Sequence, residues 1–571
     1  MQGYTIVTGE AGWCLPGDNT LTVTIKPDIP VLIVGAGPVG LTLAADLAWR
    51  NVPCMLVDRQ REVVAHPRAI SIGVRTMEHF RRLGLDQQVI DAGVPRNQTL
   101  DVVYVTRMLH KEVFRFSIPS INDLIMRADE LAAHIPETTA SPYYKTWTAQ
   151  APLERVLRTH LATCKHANLR TGWKLTSFEE FATHVSVTLR DESSGREETI
   201  TCSYLAGCDG AKSTVRRGLG IAMSGSGTLG TAMGLYFRAP ELRKALGTNP
   251  GVMYWMLAPD CGGTIYTING GEEWVYNRYF NTHEEALGLD PLAAIHAAIG
   301  KPVEVEIISA LDWQPCQLVA DSYGGNRVFL AGDACHLLVP TGGLGMNTGI
   351  GDAADLAWKI EASLAGWGGP NLLTSYDLER RPIGTQNTLE AADNYNRSRE
   401  IQSGLPEIED DGEMGESLRA TIAANLPSKI KHFAPIGVHL GYRYEGSPIV
   451  VADGTPEPDH EAAAYRPTTR PGHRAPHVYI TPGQSTLDAF GRGFVLLCCT
   501  SQASDVSSLA DAAHKSGVPL TIKEISNLTV CMIYEKRFVL VRPDGHIAWR
   551  GDSIPENATD IINIVTGRMP A

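Results

Sequence analysis

Several things are scarce in this chain. Its 11 cysteines are an odd number and contain no CxxC pair and no zinc-finger spacing. That excludes a disulfide framework, leaves no metal site to expect, and points to free thiols in a reducing compartment, by default the cytoplasm. Long apolar runs are missing too. The longest such passage, Val31 to Trp49, is broken by Gly35, Gly37, Pro38, Gly40 and Asp46, and Lys26 and Asp28 precede it. It suits neither a membrane span nor a signal peptide. Basic charge is in deficit, with 50 Lys and Arg against 63 Asp and Glu, a net −13 and a pI near 5.7. That balance argues against nucleic acid or an anionic membrane as main partner. The C-terminal Arg568-Met-Pro-Ala571 carries no targeting tripeptide or lipidation box.

What is present is an ordinary globular composition, 43% hydrophobic and 20% charged, over 571 residues, enough for roughly three to four domains of about 150 residues. Residues 1–29 hold strand-like pieces (4–7 and 21–25) and form an N-terminal extension. Val31-Leu-Ile-Val34 then runs into Gly35-Ala-Gly37-Pro38-Val39-Gly40, a helix to about Arg50, and a second apolar strand, Cys54–Val57, ending at Asp58 and Arg59. The first two glycines permit a tight turn and close approach to a pyrophosphate, the third lets helix and strand pack, and the acid would take an adenosine ribose. A carboxylate there disfavours a 2′-phosphate, which favours FAD or NAD over NADP. The same glycine pattern recurs at Gly225–Gly230 without a preceding strand or following helix and reads as a flexible loop. Arg68 and Arg75 are basic candidates for the diphosphate, and Gln150 stands at the start of a helix carrying Leu153, Val156, Leu157 and Leu161.

A hairpin over 184–208 ends in Asp209-Gly210, with Arg216 shortly after. Between Ala232 and Phe280 four aromatic, β-rich runs suggest an antiparallel sheet with one face over a pocket. The stretch 326–360 then places a strand, Val328–Ala331, before Gly332-Asp333, a glycine-rich loop from Pro340 through Gly343 to Gly345, and a helix expected to be capped by Asn347 or Thr348. A carboxylate, a backbone-lined hollow and a helix N-terminus suit a polar ligand with hydroxyls and developing negative charge.

With Gly35-Gly37-Gly40, Asp209-Gly210 and Gly332-Asp333 in that order, residues 30 to 400 resemble the FAD-dependent aromatic hydroxylases, single-component flavoprotein monooxygenases. Leu440–Tyr444, Arg470–His477 and Val541–Trp549 look like the C-terminal thioredoxin-like region of the phenol hydroxylase and 2,4-dichlorophenol hydroxylase subgroup. The adjacent Cys498-Cys499 do not make a thioredoxin dithiol. The resemblance implies an α/β fold: a Rossmann-like FAD-binding domain of the para-hydroxybenzoate hydroxylase type, an interleaved β-rich substrate domain and a thioredoxin-like domain. Its parts would be FAD-binding segments at 30–110, 141–217 and 321–400, substrate segments at 111–140 and 218–320, a helical linker at 401–464 and the last domain at 465–571. It implies FAD, NADH or NADPH as transient cosubstrate, O2, an aromatic substrate and a homodimer. By position, Asp58 (where the family usually has glutamate), Arg68 and Gln150 would touch the ribose or diphosphate, and Asp209 and Gly210 both FAD and nicotinamide. Asp333 would meet the ribityl chain, and Pro340, Gly343, Gly345, Met346 and Asn347 the isoalloxazine.

The expected chemistry is hydroxylation of a phenolic or other electron-rich ring through a flavin C4a-hydroperoxide, which needs a dry pocket and a base for the substrate proton. Tyr236, Tyr254, Tyr266, Arg278, His336 and Pro340 are the candidates at the reacting end. Baeyer–Villiger oxygenation of a polyketide or aromatic metabolite is the alternative on this scaffold. A flavin-free dehydrogenase or a degenerate flavin-binding scaffold are readings of other classes, and no WxWxIP segment supports a halogenase.

Overall fold

The computed structural model describes residues 26–569 apart from 65, 136, 281, 403–404, 429–432 and 500–505. The strand-like pieces expected at 4–7 and 21–25 lie outside the described residues. Val31, Leu32, Ile33 and Val34 are all buried because Ile29–Val34 is an inner strand, parallel to Cys54–Asp58 on one side and to Glu197–Gly207 on the other. A parallel strand covered on both faces has no polar side to show. Ala167–Thr171 extends this sheet beyond Cys54–Asp58, Val185–Asp191 and Trp173–Glu180 continue it as a meander, and Val328–Leu330 adds in parallel to Glu197–Gly207. The helix Pro38–Trp49 begins with Pro38 in its first turn, where a missing N–H costs nothing.

A second seven-stranded sheet runs in the order Glu306–Trp313, Thr231–Arg238, Glu273–Phe280, Gly263–Thr267, Met253–Met256, Val102–Val105 and Glu112–Phe116. It takes in chain from residue 102, earlier than the expected insertion at 111. Alternation sorts its two faces. Leu235, Phe237, Tyr254, Met256, Ile265, Trp274 and Tyr276 pack on Ala294, Ile295, Ala298 and Ile299 of the helix Pro291–Ile299. Tyr236, Tyr266 and Val275 face the opposite way and join the core of the nucleotide unit. The glycines at 225 and 227 are not in a loop: Met223–Thr228 is a strand antiparallel to Cys316–Ala320.

Helix Gly345–Leu364 is buried along most of its length between Pro38–Trp49 and the long helix Pro370–Gln402. Beyond it, Phe494–Cys498, Leu520–Glu524, Phe538–Val541 and Ile547–Gly551 form a four-stranded sheet with the second strand outermost beside the first. The first pair is parallel and the third strand antiparallel to its neighbours. Helices Ser507–Lys515, Leu528–Tyr534 and Ala558–Val565 complete the βαβαββα order of a thioredoxin-like domain. No helix among the described residues is long and apolar enough to cross a membrane.

Candidate functional site

The three sequence boxes converge at the C-terminal ends of Ile29–Val34, Cys54–Asp58, Glu197–Gly207 and Val328–Leu330, where ligands of open α/β sheets bind. Gly35 has φ +105 and its N–H donates to the Val57 carbonyl at 2.8 Å. A Cβ on Gly40 would lie 1.9 Å from the Gly35 carbonyl oxygen, so the third glycine is required by helix–strand contact. A Cβ on Gly37 would meet no protein atom within 4 Å; that position faces open groove. Asp58 closes the unit, its Oδ2 accepting from the Ala36 N–H at 2.6 Å and its Oδ1 from the Gln60 N–H at 2.7 Å. Val39 packs against Gly332 and Gly349, tying the first glycine motif to the later one.

Arg68 and Arg59 are exposed, and Arg68 has no hydrogen-bond or ion-pair partner among the described residues. Asp333 is likewise open to solvent; the protein around it desolvates and so raises its carboxyl above the ordinary range, with His336 and Arg68 pulling the other way. Gln150 opens the helix Gln150–Thr163 and donates to Glu154 at 2.7 Å. Asp209 is engaged with backbone, accepting from the Thr214 N–H at 2.6 Å. Gly210, at φ +78, has open space beside it. Arg216 donates to the Ala334 carbonyl at 3.0 Å and so braces the turn around Asp333.

The helix expected to start at Asn347 or Thr348 starts at Gly345, with Leu344 as N-cap residue and no side-chain cap. Asn347 is employed elsewhere: its Oδ1 accepts from the Gly73 N–H at 2.7 Å and its Nδ2 donates to the Gly343 carbonyl at 2.6 Å. The first N–H groups of the helix, beside half-buried Gly345 and Met346 and exposed Pro340, are thus left without a side-chain acceptor. An uncapped helix start over an open loop is a ready anion site. These features fit FAD: a glycine groove, a carboxylate at the end of the second strand, an unpartnered arginine, a second carboxylate and a bare helix N-terminus.

The sheet facing this loop carries Ala232, Gly234 and Tyr236, in register with Tyr279, Asn277 and Val275. Tyr279 packs against Val339, Leu344 and Tyr395, and Asn277 donates to the Tyr266 hydroxyl at 3.2 Å. Arg278 does not share that face. Alternation puts it with Tyr276 and Trp274, and its guanidinium lies 5.2 Å from the Phe280 ring. Tyr254 is turned away for the same reason, its hydroxyl accepting from the Gly251 N–H. Tyr236 is on the facing side, but its hydroxyl donates to Glu273 at 2.7 Å, and burial with that carboxylate raises the phenol. His336 is fully enclosed and bonded to Asp352. Arg75 is buried against Glu78 and the Asp544 carbonyl, so it is no diphosphate ligand.

One residue escaped the sequence reading. His66 is 8% exposed, its Nδ1 lies 2.8 Å from the Ser309 hydroxyl, and its Nε2 would stand 2.9 Å from a Cβ on Gly234, with Asn277 Oδ1 at 3.1 Å from the same point. Burial and nearby Arg68 lower its pKa, which keeps it neutral near pH 7. Its Nε2 has no protein partner among the described residues and is not sealed off. The only signal in the sequence was its place two residues before Arg68.

A dinucleotide groove leading to a bare helix start under an aromatic sheet is the frame of a dinucleotide-dependent enzyme. Residues 28–391 match the family model described as FAD binding domain, and residues 468–568 match that of the aromatic-ring hydroxylase C-terminus. The chain belongs to the FAD-dependent aromatic and polyketide hydroxylases, in the subgroup with the thioredoxin-like C-terminal domain. It is 32% identical to 4-methyl-5-nitrocatechol 5-monooxygenase of a Burkholderia species, over 94% of this chain and 97% of that one. Among solved structures it resembles RebC soaked with chromopyrrolic acid and holding 7-carboxy-K252c, at a TM-score of 0.86 and 37% identity, covering 94% of this chain and 99% of that one. It also resembles the flavin-dependent monooxygenase PieE in complex with FAD and substrate, at a TM-score of 0.83 and 31% identity, covering 95% and 100%.

Proposed function

We propose that this enzyme uses NADH or NADPH and O2 to hydroxylate a phenolic or other electron-rich aromatic ring. The observation that carries this reading is the pairing of the uncapped start of Gly345–Leu364 with a facing sheet that offers Tyr266, Asn277 and Tyr279 and one open, neutral imidazole, His66. Bound FAD supplies reduction by the nicotinamide and activation of O2. The chain's part is to hold and shield. Asp58 would take the adenosine ribose, Arg68 the diphosphate, Asp333 the ribityl hydroxyls, and the Gly343–Asn347 backbone the reacting end. The N–H groups at Gly345 and after favour negative charge developing there.

Tyr266 and Tyr279 exclude water and give a flat ring an apolar surface. His66 Nε2, free of a protein partner among the described residues, would accept the proton of a ring hydroxyl, with Ser309 bonded to the imidazole at Nδ1. The relative named for a nitrocatechol supports an aromatic substrate.

The test is O2 uptake by the FAD-loaded enzyme with NADH and NADPH against a panel of phenols and fused aromatics, with labelled O2 and product mass. One labelled oxygen as a new ring hydroxyl supports the reading. A lactone would assign Baeyer–Villiger chemistry instead, and nicotinamide oxidation that no aromatic stimulates would sink both.

A further inference from the structure

Behind the Gly332-Asp333 turn lies a buried cluster to which the oxygenase chemistry assigns no task. Asp352, seven residues into Gly345–Leu364, is fully buried; His336 is also fully buried and Arg380 is 1% exposed. Asp352 Oδ2 accepts from the Gly332 N–H at 3.1 Å and from His336 Nε2 at 2.8 Å. Its Oδ1 accepts from Arg380 Nε at 2.9 Å. The same guanidinium donates to the Thr348 carbonyl at 3.0 Å. Thr348 in turn donates from Oγ1 to the Leu344 carbonyl at 2.8 Å and accepts from Asn387 Nδ2 at 2.9 Å.

Two backbone pieces meet at this carboxylate: the turn that presents Asp333 and the first turn of the helix that starts at Gly345. They also touch directly, since a Cβ on Gly349 would lie 2.8 Å from the Gly332 Cα. Cys335, His336 and Asp352 offer donor atoms within 4.8 Å of one another. A cation there would have to compete with the Arg380 charge and with the Gly332 N–H, so the cluster is no metal site. Burial would raise the Asp352 carboxyl, but Arg380 and then His336 overcome it and hold the group ionised, below the ordinary range.

We infer that Asp352, clamped by Arg380, is the positioning residue that sets the Asp333 turn and the bare helix start in the mutual geometry FAD requires. It acts through backbone and touches no ligand.

Asp352→Asn tests it, because the amide keeps the size and removes the ion pair that orders both pieces. FAD affinity is read from flavin fluorescence on titrating the apoprotein, and the midpoint potential of the bound flavin is read separately. The expected result is FAD binding weakened at least tenfold, together with a lower potential, as the helix start no longer points at the charge of reduced flavin. A residue acting only through its charge would do the opposite: losing a carboxylate beside Arg380 would raise the potential, and that result overturns the inference. Affinity within twofold of wild type with an unchanged potential overturns it as well. Arg380→Lys guards against misfolding, since it keeps a cation but gives up the bond to the Thr348 carbonyl. The same two shifts, smaller, are expected of it in a protein with wild-type circular dichroism, and their absence counts against the clamp.

Discussion

At the scale of single residues, the glycine motif separates fold from ligand. Gly40→Ala places a methyl 1.9 Å from a backbone oxygen, an overpacking that should cost about 3 kcal/mol and depress the melting temperature of the apoprotein. Gly37 has φ −75 and open space where a methyl would go. Gly37→Ala should therefore leave apoprotein stability within about 0.5 kcal/mol while weakening FAD tenfold or more, and equal melting losses in the two variants would contradict this division. His66 supplies a second test. As a neutral imidazole it accepts a proton only above its own pKa, which lies below the ordinary 6.5, so kcat/KM should fall on the acid side as it becomes protonated. His66→Gln keeps a partner for Ser309 but cannot titrate in this range. It should lower kcat roughly 100-fold or more and abolish that acid limb; a profile with the limb intact would remove His66 from the role. The sequence pattern already disclosed the glycines and carboxylates, because each follows a recognisable strand. His66 was not legible, since its orienting partner Ser309 lies 243 residues away. Arg278 and Tyr236 could not be told apart either, because neighbouring strands decide which face of a period-two pattern turns inward.

At the scale of elements, the helices carry buried charge to join one another. Helix Val74–Leu83 presents Glu78, which receives Arg75 from its own turn and Arg474 from the C-terminal region. Burial opposes ionisation of Glu78, but Arg474 and Arg75 hold its carboxyl down at about 2, against an ordinary 4.5. A depressed carboxyl stabilises the fold in full above pH 4.5, loses that contribution as pH falls, and gives nothing below about 2. The span is worth roughly 3 kcal/mol. Urea midpoints measured from pH 6 down to 3 should therefore fall less steeply for Glu78→Gln, although that variant is weaker at neutral pH. Parallel slopes would show that Glu78 titrates normally. The same element shows why one expectation from sequence failed. Arg75 looked like a diphosphate ligand because it follows the first βαβ unit, and nothing local reveals that its partners at 442 and 544 close over it. The cap expected at Asn347 failed for a related reason: its side chain serves Gly73 and Gly343, tying two segments together, and the helix is left bare for a ligand.

For the molecule as a whole, the C-terminal domain is wired into the cofactor-binding core. Arg542, at the end of strand Phe538–Val541, reaches Asp355 of Gly345–Leu364 at 3.1 Å and Glu379 of Pro370–Gln402 at 2.6 Å, and also holds Asp544 at 2.7 Å. Lys359 bridges Asp355 and Glu379 from the other side. Three acids thus share two cations, all buried, and burial, against the pull of Lys359 and with the push of Glu379, raises the Asp355 carboxyl above its ordinary range. Trp358 and Trp367 pack in one apolar cluster with Phe494, Leu540 and Ile562, so the joint is greasy as well as charged. Two units coupled this closely should unfold together: calorimetry on the holoenzyme is expected to give a single transition. Arg542→Met strips a cation from buried acids and should cost about 3 to 5 kcal/mol, lowering that transition for the whole chain and releasing FAD along with it. If the variant instead showed an early transition confined to the C-terminal domain, with FAD retained until a second one at the wild-type temperature, the domain would be an appendage. The contacts of Arg542 with Asp355 and Glu379 would then not couple the two units.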